Sequence, residues 1–205
     1  MIGDFGADTS NQAAVAAMVT GWNPDFIVTT GDNYYADAGG TGTGKYDIAI
    51  GKYYCAFLKD ITTSGTFCPT GMASVNRFFT SIGDHDLDDA GHTNGVPYTY
   101  LEYVNLPGDG FTSSTNNERY YDFVQGPVHF FVLNSDSREI DGATNTPAQS
   151  AQAKWLQTQL GASTSTWNVV ISGNPALFIW RSSRFKFTDA MALRRMGCRC
   201  CLVGR

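Results

Sequence analysis

The sequence predicts a mixed α/β fold, or α+β in the looser sense, from three patterns along the chain. A helix-period run lies between Ile2 and the short apolar segment 25–30, which makes a strand, helix, strand succession. Alternating aromatic and β-branched residues over 120–136, broken around Gly126, predict a β-hairpin. A second helix-period run and the apolar segment 167–171 follow it, so helices and strands are interleaved along the chain.

Both predicted helices have recognisable ends. The first has Ser10 as its N-cap and ends at Asn23-Pro24, and the second opens at Pro147 and ends at Gly161. Apolar residues recur at helical spacing in each, which is typical of helices that pack on a core. They are Ala14, Val15, Met18, Val19 and Trp22 in the first helix, and Ala151, Trp155, Leu156 and Leu160 in the second.

Length, charge and cysteine content limit the class of protein. The 205 residues are enough for one domain with its own core. A net charge of -5 and a pI of about 5.0 give no electrostatic reason to expect nucleic acid or an anionic membrane as partner. No apolar run approaches the roughly 18 residues of a membrane span, and no signal-peptide pattern follows Met1. Cys55 and Cys68 bracket a polar loop, either as two thiols or as the disulfide of an exported protein.

Three short apolar runs each stop at an acidic motif. A single Gly-Asp pair is ordinary turn chemistry, but the ends of neighbouring strands converge where open α/β sheets place their sites. Three acids there would repel one another unless a cation joined them. Oxygen donors accompanied by Tyr and His suit iron, manganese, zinc or magnesium. The motifs are Asp4-x-Gly6, Gly31-Asp32-x-x-Tyr35 and Gly83-Asp84-His85-Asp86.

In this order the motifs resemble the signature of the calcineurin-like metallophosphoesterases, which is Asp-x-Gly, Gly-Asp-x-x-Tyr and Gly-Asn-His-Asp/Glu. Tyr35 and the stretch 117–136, NERYYDFVQGPVHFFVLNSD, are similar to the bacterial purple acid phosphatase branch. The resemblance covers nearly all of residues 2–172. It implies a β-sandwich of two mixed sheets flanked by helices, which this chain would hold incompletely at both ends. It also implies a secreted or periplasmic protein.

The resemblance implies four metal ligands. Asp4 would bind the first metal, and Tyr35 would bind the same metal as a phenolate. Asp32 would bridge the two metals. Asp84 stands where the family usually has Asn, a ligand of the second metal, and it would bring an additional negative charge to that position.

The catalytic residues implied in the same way are His85 and Asp86. His85 would face the scissile phosphate, as a proton donor to the leaving group or a hydrogen-bond donor to the phosphoryl oxygens. Asp86 would orient His85. The implied activity is hydrolysis of small phosphate esters by two metal ions, iron paired with zinc, manganese or iron, which clamp the phosphate and activate a water.

The family has three further metal-binding histidines, one before Pro-Pro-Tyr-Ser-Ser-Gly and two in Gly-His-x-His. This chain has three histidines in all. Besides His85 they are His92, in a polar loop, and His129, whose place inside a predicted strand indicates a structural role. The alternative function is therefore a catalytically inactive fragment of the family that binds at most one metal.

From about residue 174 onward the sequence becomes rich in Arg and Cys and loses its apolar period. Read one base forward, Trp180-Arg181 encodes Gly, and 176–179 can encode the Pro-Tyr-Ser-Ser that precedes this Gly in the family. We therefore interpret 1–172 as a partial phosphoesterase domain and 173–205 as its frameshifted remainder, stopping before the last histidines.

Two other patterns allow competing functions. An exposed aromatic patch around Tyr53 and Tyr54 would suit a binding module without enzymatic activity. The run GGTGTGK at 39–45 has the glycine and lysine spacing of a phosphate-binding loop. Tyr46 replaces the Ser or Thr that such a loop requires and no strand precedes it, so we interpret this run as a flexible loop.

Overall fold

The structure is a computed structural model, and it describes residues 1–61, 65–142, 150–173 and 200–203. Within these ranges the chain forms two small sheets accompanied by helices, which confirms the mixed α/β prediction. The strands are β1 (Ile27–Val28), β2 (Phe78–Phe79), β3 (Tyr121–Gln125), β4 (Val128–Leu133), β5 (Trp167–Ser172) and β6 (Cys200–Val203). The α-helices are α1 (Ser10–Gly21), α2 (Gly44–Tyr46), α3 (Lys52–Tyr54), α4 (Asp84–Asp88), α5 (Tyr98–Leu101) and α6 (Ala151–Ala162). The frameshift interpretation concerns residues 173–205, and of these 174–199 and 204–205 lie outside the residues that the structure describes.

The first sheet is parallel and carries the acidic motifs. Strand β1 pairs with β2, and Ile2 forms a single parallel bridge with Thr29 on the other side of β1. Helix α1 connects Ile2 to β1, so the predicted strand, helix, strand unit is confirmed. Both residues of β1 and both of β2 are buried, as expected for a parallel sheet covered on its two faces.

Helix α1 forms where the sequence predicts it, but it presents a different face to the core. Its N-cap is Thr9 rather than Ser10, and Thr9 Oγ1 accepts a hydrogen bond of 3.2 Å from the backbone N–H of Gln12. The buried residues are Gln12, Ala16 and Val19. Small Ala16 permits close packing, and Gln12 Nε2 donates to the carbonyl of Ala49 over 2.6 Å. The predicted stripe therefore lies mostly in solvent, with Ala14, Val15, Met18 and Trp22 exposed.

The segment 36–76, predicted to be irregular, consists of short helical turns held by local bonds. Cys55 and Cys68 form a disulfide, which resolves the alternative left open by the sequence. The buried carboxylate of Asp47 accepts hydrogen bonds from the backbone N–H groups of Phe67 and Cys68, at 2.8 and 2.9 Å. The loop that carries Cys68 is thus anchored both covalently and by a carboxylate.

The second sheet has the order β3-β4-β5-β6. Strands β3 and β4 form the predicted antiparallel hairpin around Gly126, and β4, β5 and β6 are parallel. Helix α6 connects β4 to β5 and begins after Ser150, whose Oγ accepts from Ala153 N over 3.1 Å. It continues to Ala162, one residue past the predicted end, and the predicted opening at Pro147 lies outside the described residues.

Aromatic side chains join the two sheets. The ring of Phe79 on β2 stacks on that of Phe123 on β3, with centroids 3.8 Å apart. Tyr121 on β3 donates from its hydroxyl to the carbonyl of Thr80, over 2.8 Å. The carboxyl ends of β2 and β5 are thereby held near each other. Within the described ranges, no helix has the length and apolar character needed to cross a bilayer.

Candidate metal and phosphate site

The three acidic motifs leave the first sheet at the same edge. Asp4 follows the Ile2 bridge, Asp32 follows β1 and Asp84 follows β2. Asp4 and Asp32 both have left-handed backbones, with φ of 54° and 53°. Asp is one of the few side chains that tolerates this conformation, and it turns the chain sharply away from the strand. The structure therefore gathers the predicted acids on one edge.

Glycines allow the second sheet to approach this edge. A Cβ added to Gly83 would lie 2.1 Å from Asp32 Oδ1, and one added to Gly31 would lie 2.9 Å from the Cα atoms of Gly83 and Gly173. Gly173 directly follows β5, and a Cβ there would meet the carbonyl oxygen of Ile82 at 2.2 Å. Only backbone without side chains fits in this junction, so the site lies where the ends of both sheets meet.

Oxygen atoms of three predicted ligands converge at the edge. The Tyr35 hydroxyl donates to Asp32 Oδ2 over 3.0 Å and lies 3.5 Å from Asp4 Oδ1. Asp32 Oδ1 accepts from the backbone N–H of His85 over 3.2 Å. Burial raises the pKa of Asp32 and the negative charge of Asp84 adds to it, although the Tyr35 hydrogen bond opposes the increase. Burial and the Asp32 charge also raise the pKa of Tyr35, so without a cation its phenol keeps its proton.

His85 lies over Tyr35 and contacts the carboxylate of Asp89, a residue outside the predicted site. The two ring centroids are 4.4 Å apart, and His85 Nδ1 lies 2.8 Å from Asp89 Oδ2. Burial by itself would lower the pKa of His85, but the hydrogen bond to Asp89 and the charge of Asp32 raise the net value. The signal that could have found Asp89 is its spacing of four residues from His85 at a helix.

Asp86 has a different place from the one expected. It is fully buried and accepts hydrogen bonds from Gly83 N (2.9 Å), from the side-chain amide of Asn33 (2.9 Å) and from the Tyr46 hydroxyl (3.1 Å). Burial raises its pKa to about 7 against these bonds. The expectation that Asp86 orients His85 is therefore corrected: Asp86 ties the two site loops together, and the carboxylate on the imidazole is that of Asp89.

The remaining histidines lie apart from this edge. His129 Nε2 lies 2.8 Å from Asp122 Oδ2, and its Nδ1 lies 3.1 Å from Ser163 Oγ. This chain of Ser, His and Asp resembles a nucleophilic triad, but the Ser163 hydroxyl is also 2.7 Å from Asn168 Oδ1 and the group links β3, β4 and the α6–β5 loop. His129 lies in β4, inside the predicted strand, and these contacts are consistent with the structural role predicted for it. His92 Nδ1 accepts from Gly95 N over 3.0 Å within its own loop.

The donors at this edge are oxygen atoms of the kind that a hard cation binds. Asp4, Asp32 and Tyr35 bring two carboxylates and a phenol together, and the pKa of Asp32 is raised by burial and by the charge of Asp84, against the Tyr35 hydrogen bond. No histidine other than His85 is near them. In the ranges that the structure describes, no three Asp, Glu, His or Cys side chains form a group that could by themselves hold a metal.

The structure explains the aromatic pair Tyr53 and Tyr54 and the glycine-rich run 39–45, the two patterns that suggested other functions. Tyr54 is fully buried and Tyr53 is half-buried with its hydroxyl on Asp8, so the predicted exposed aromatic patch is wrong. These rings pack inward beneath α1. In the glycine-rich run, Lys45 Nζ donates to the carbonyls of Asp89 and Ala90 at 3.0 and 3.1 Å. The ammonium group of Lys45 therefore caps the C-terminal end of α4.

Comparison of the chain with protein-family models and with curated proteins finds no match.

Proposed function

We propose that this chain carries the site of a metal-dependent phosphate-ester hydrolase, built on the described part of a calcineurin-like β-sandwich. The observation that carries the proposal is the convergence of Asp4, Asp32 and Tyr35 where two parallel segments end, with Asp84 and His85 at the end of the third. A cluster of carboxylate and phenol oxygens at such an edge suits a hard cation. The disulfide agrees with an exported protein.

In this proposal the chain's own residues hold the cation and face the ester. Asp4 and Asp32 bind through carboxylate oxygens and Tyr35 through its phenol oxygen. Asp84 offers a further carboxylate on the neighbouring segment. A hard cation bound there would polarise a phosphoryl oxygen and lower the pKa of a coordinated water. His85, beside Tyr35, provides an N–H donor for the phosphoryl oxygens or the leaving group.

A second candidate function is supported by a specific observation. His92 and His129, the two histidines besides His85, form hydrogen bonds with Gly95 and Asp122 rather than with Asp4, Asp32 or Tyr35. The chain would then bind a single metal and not hydrolyse esters, because a one-metal site lacks the second positive charge that clamps the phosphate.

Metal-dependent hydrolysis of p-nitrophenyl phosphate and its diester tests the two functions. The protein is stripped with a chelator and assayed with iron, manganese, zinc or magnesium, while calorimetry measures bound metal. Hydrolysis that one metal restores and Asp32→Asn abolishes supports the first function. Binding near one metal per chain without hydrolysis supports the second.

The matched control is Asp25→Asn, because Asp25 is an exposed aspartate at the opposite end of β1. It should leave metal binding and hydrolysis unchanged. Absence of both metal binding and hydrolysis in the unmodified chain would overturn both candidates.

A further inference from the structure

Asp89 joins three segments at the site edge. One carboxylate oxygen, Oδ2, lies 2.8 Å from His85 Nδ1 and accepts the backbone N–H of Ala36 over 3.0 Å. Its backbone N–H donates to the carbonyl of His85 over 2.9 Å, and its own carbonyl accepts from Lys45 Nζ. The residue is thus fixed by bonds to the loop after β1, to α4 and to α2.

The position of Asp89 couples the two loops that bear the site. Ala36 directly follows Tyr35, whose ring lies 4.4 Å from that of His85. On a helix, side chains four residues apart lie on the same face, so Asp89 reaches the His85 ring without distortion. Burial would raise the pKa of Asp89, but the bonds from His85 and Ala36 lower the net value, which keeps it an anionic acceptor.

Resting on the proposed function, we propose that Asp89 is the positioning residue of His85: its carboxylate fixes which ring nitrogen carries the proton and holds the imidazole over Tyr35. A carboxylate accepts hydrogen bonds only, so the neutral ring bears its proton on Nδ1. The nitrogen left for the ester is then Nε2, which accepts a hydrogen bond in the neutral ring and donates one only when the ring is protonated. Asp89 acts through His85 and does not itself touch the substrate.

The other two histidines have the opposite arrangement. Asp122 contacts the Nε2 of His129, which places that proton on Nε2. His92 accepts a backbone N–H at Nδ1, which also leaves its proton on Nε2. Since the chain has three histidines, the proposal predicts that His85 alone has the Nδ1–H tautomer.

Nitrogen-15 NMR of the full chain labelled at histidine tests this directly. The metal-free protein is measured at a pH high enough to keep all three rings neutral, and His85→Gln assigns its signal. We expect one ring in the Nδ1–H form and two in the Nε2–H form. A His85 ring in the Nε2–H form in the unmodified protein would overturn the proposal.

Three variants separate positioning from general stability. Asp89→Ala removes the acceptor, so His85 should lose the Nδ1–H preference while His92 and His129 keep their signals. Asp89→Asn retains an oxygen acceptor of the same shape and should keep the Nδ1–H form. The control is Asp37→Ala, an exposed aspartate of the neighbouring turn, which should change none of the three. An unchanged His85 tautomer in folded Asp89→Ala would refute the role.

The tautomer measurement needs neither metal nor substrate, so its failure is distinguishable from failure of the proposed function. If the chain hydrolyses esters, Asp89→Ala should lower kcat by about 10–100-fold with a smaller change in KM. Asp89→Asn should recover part of that loss. Equal loss of kcat in both variants, with the tautomer retained in Asp89→Asn, would assign the effect to charge and contradict positioning.

Discussion

At the residue scale, Asp86 and Asp122 show two ways in which this chain accommodates a buried carboxylate. Asp86 is surrounded by donors from backbone and neutral side chains, and burial dominates its pKa. Asp122 is paired with His129 and bonded by Ser114, and these bonds outweigh burial so that its pKa is lowered. The two residues therefore respond differently to substitution and to pH.

Asp86→Asn should lower the free energy of unfolding by about 1–3 kcal/mol, because the new amide group would face N–H donors that now meet an oxygen. Gly83 N and the Asn33 side-chain amide donate to Oδ2, while the Tyr46 hydroxyl and the backbone N–H of Asn33 donate to Oδ1, so either orientation of the new amide places its NH2 against an N–H donor. Urea unfolding measures the change. Asp37→Asn, on the exposed surface, is the control and should stay within about 0.5 kcal/mol. Equal stability of the two variants would contradict this account.

Asp122 should contribute to the loss of stability in acid. Its pKa is lowered in the folded state, so its contribution is fully present above the unfolded value of about 3.9 and is lost as pH falls through the folded value. Replacing Asp122 by Asn should flatten the pH dependence of the unfolding free energy below about pH 4. Urea unfolding between pH 6 and pH 3 measures this. Parallel curves for the two proteins would count against the interpretation.

At the scale of elements, α1 shows why a helical pattern does not identify the buried face. The helix contains no charged residue, so polarity does not mark its solvent side. Its buried face consists of Ala16, Val19 and the polar Gln12, whose side-chain amide donates to the carbonyl of Ala49 between α2 and α3.

Two substitutions in neighbouring positions of α1 should have unequal effects. Val19→Ala should lower the free energy of unfolding by about 1–3 kcal/mol, since Val19 is only 7% exposed and its removal leaves a void. Met18→Lys should change it by no more than about 0.5 kcal/mol, because Met18 is 50% exposed. Thermal unfolding of both variants measures the difference. A larger loss for Met18→Lys would show that the outer face is covered.

At the scale of the whole molecule, the candidate site depends on both sheets. The acids are on the first sheet, and Gly173 at the end of β5 packs against Gly31 and Gly83. Arg138, from the loop after β4, reinforces the junction through bonds to Asp136 and Asp88. Loss of either sheet would therefore separate the site loops.

A cation that binds only the folded chain should stabilise the whole molecule. At a free cation concentration of 100 times Kd, the free energy of unfolding should rise by about 2.7 kcal/mol. Thermal unfolding with and without the cation measures the effect, which Asp32→Asn should remove and Asp25→Asn should retain. An equal rise in Asp32→Asn would place the cation elsewhere.

The frameshift interpretation predicts that the coding DNA of residues 173–205 contains, in the frame one base forward, the Pro-Tyr-Ser-Ser-Gly of the calcineurin-like metallophosphoesterases that the motifs resemble. Sequencing from the codon of Trp167 through several hundred bases tests it, and the codons of 1–172 serve as the in-frame control. A DNA sequence without that pattern in any frame would eliminate the frameshift interpretation.

Local patterns predicted α1, α6, the hairpin, β5 and three strand-like runs that end at acidic motifs, but not the short helices α2, α3, α4 and α5. Periodicity, turn residues and acids after apolar segments are short-range signals, and they indicated that Asp4 and Asp32 lie on one edge, whereas Tyr35 was indicated by the family resemblance. Which residues of α1 are buried could not be predicted in this way, because burial depends on the shape of distant partners.

The places of Asp86 and Asp89 likewise depend on contacts between segments about 50 residues apart. Asp86 meets Asn33 and Asp89 meets Ala36 only after β1 and β2 pair, although the spacing of four residues from His85 is a local signal for Asp89. Both are aspartates, but the fold buries Asp86 among hydrogen-bond donors and places Asp89 beside the His85 imidazole. Only the tertiary structure determines which aspartate is buried and which contacts His85, because hydrogen-bond partners depend on the positions of residues in space.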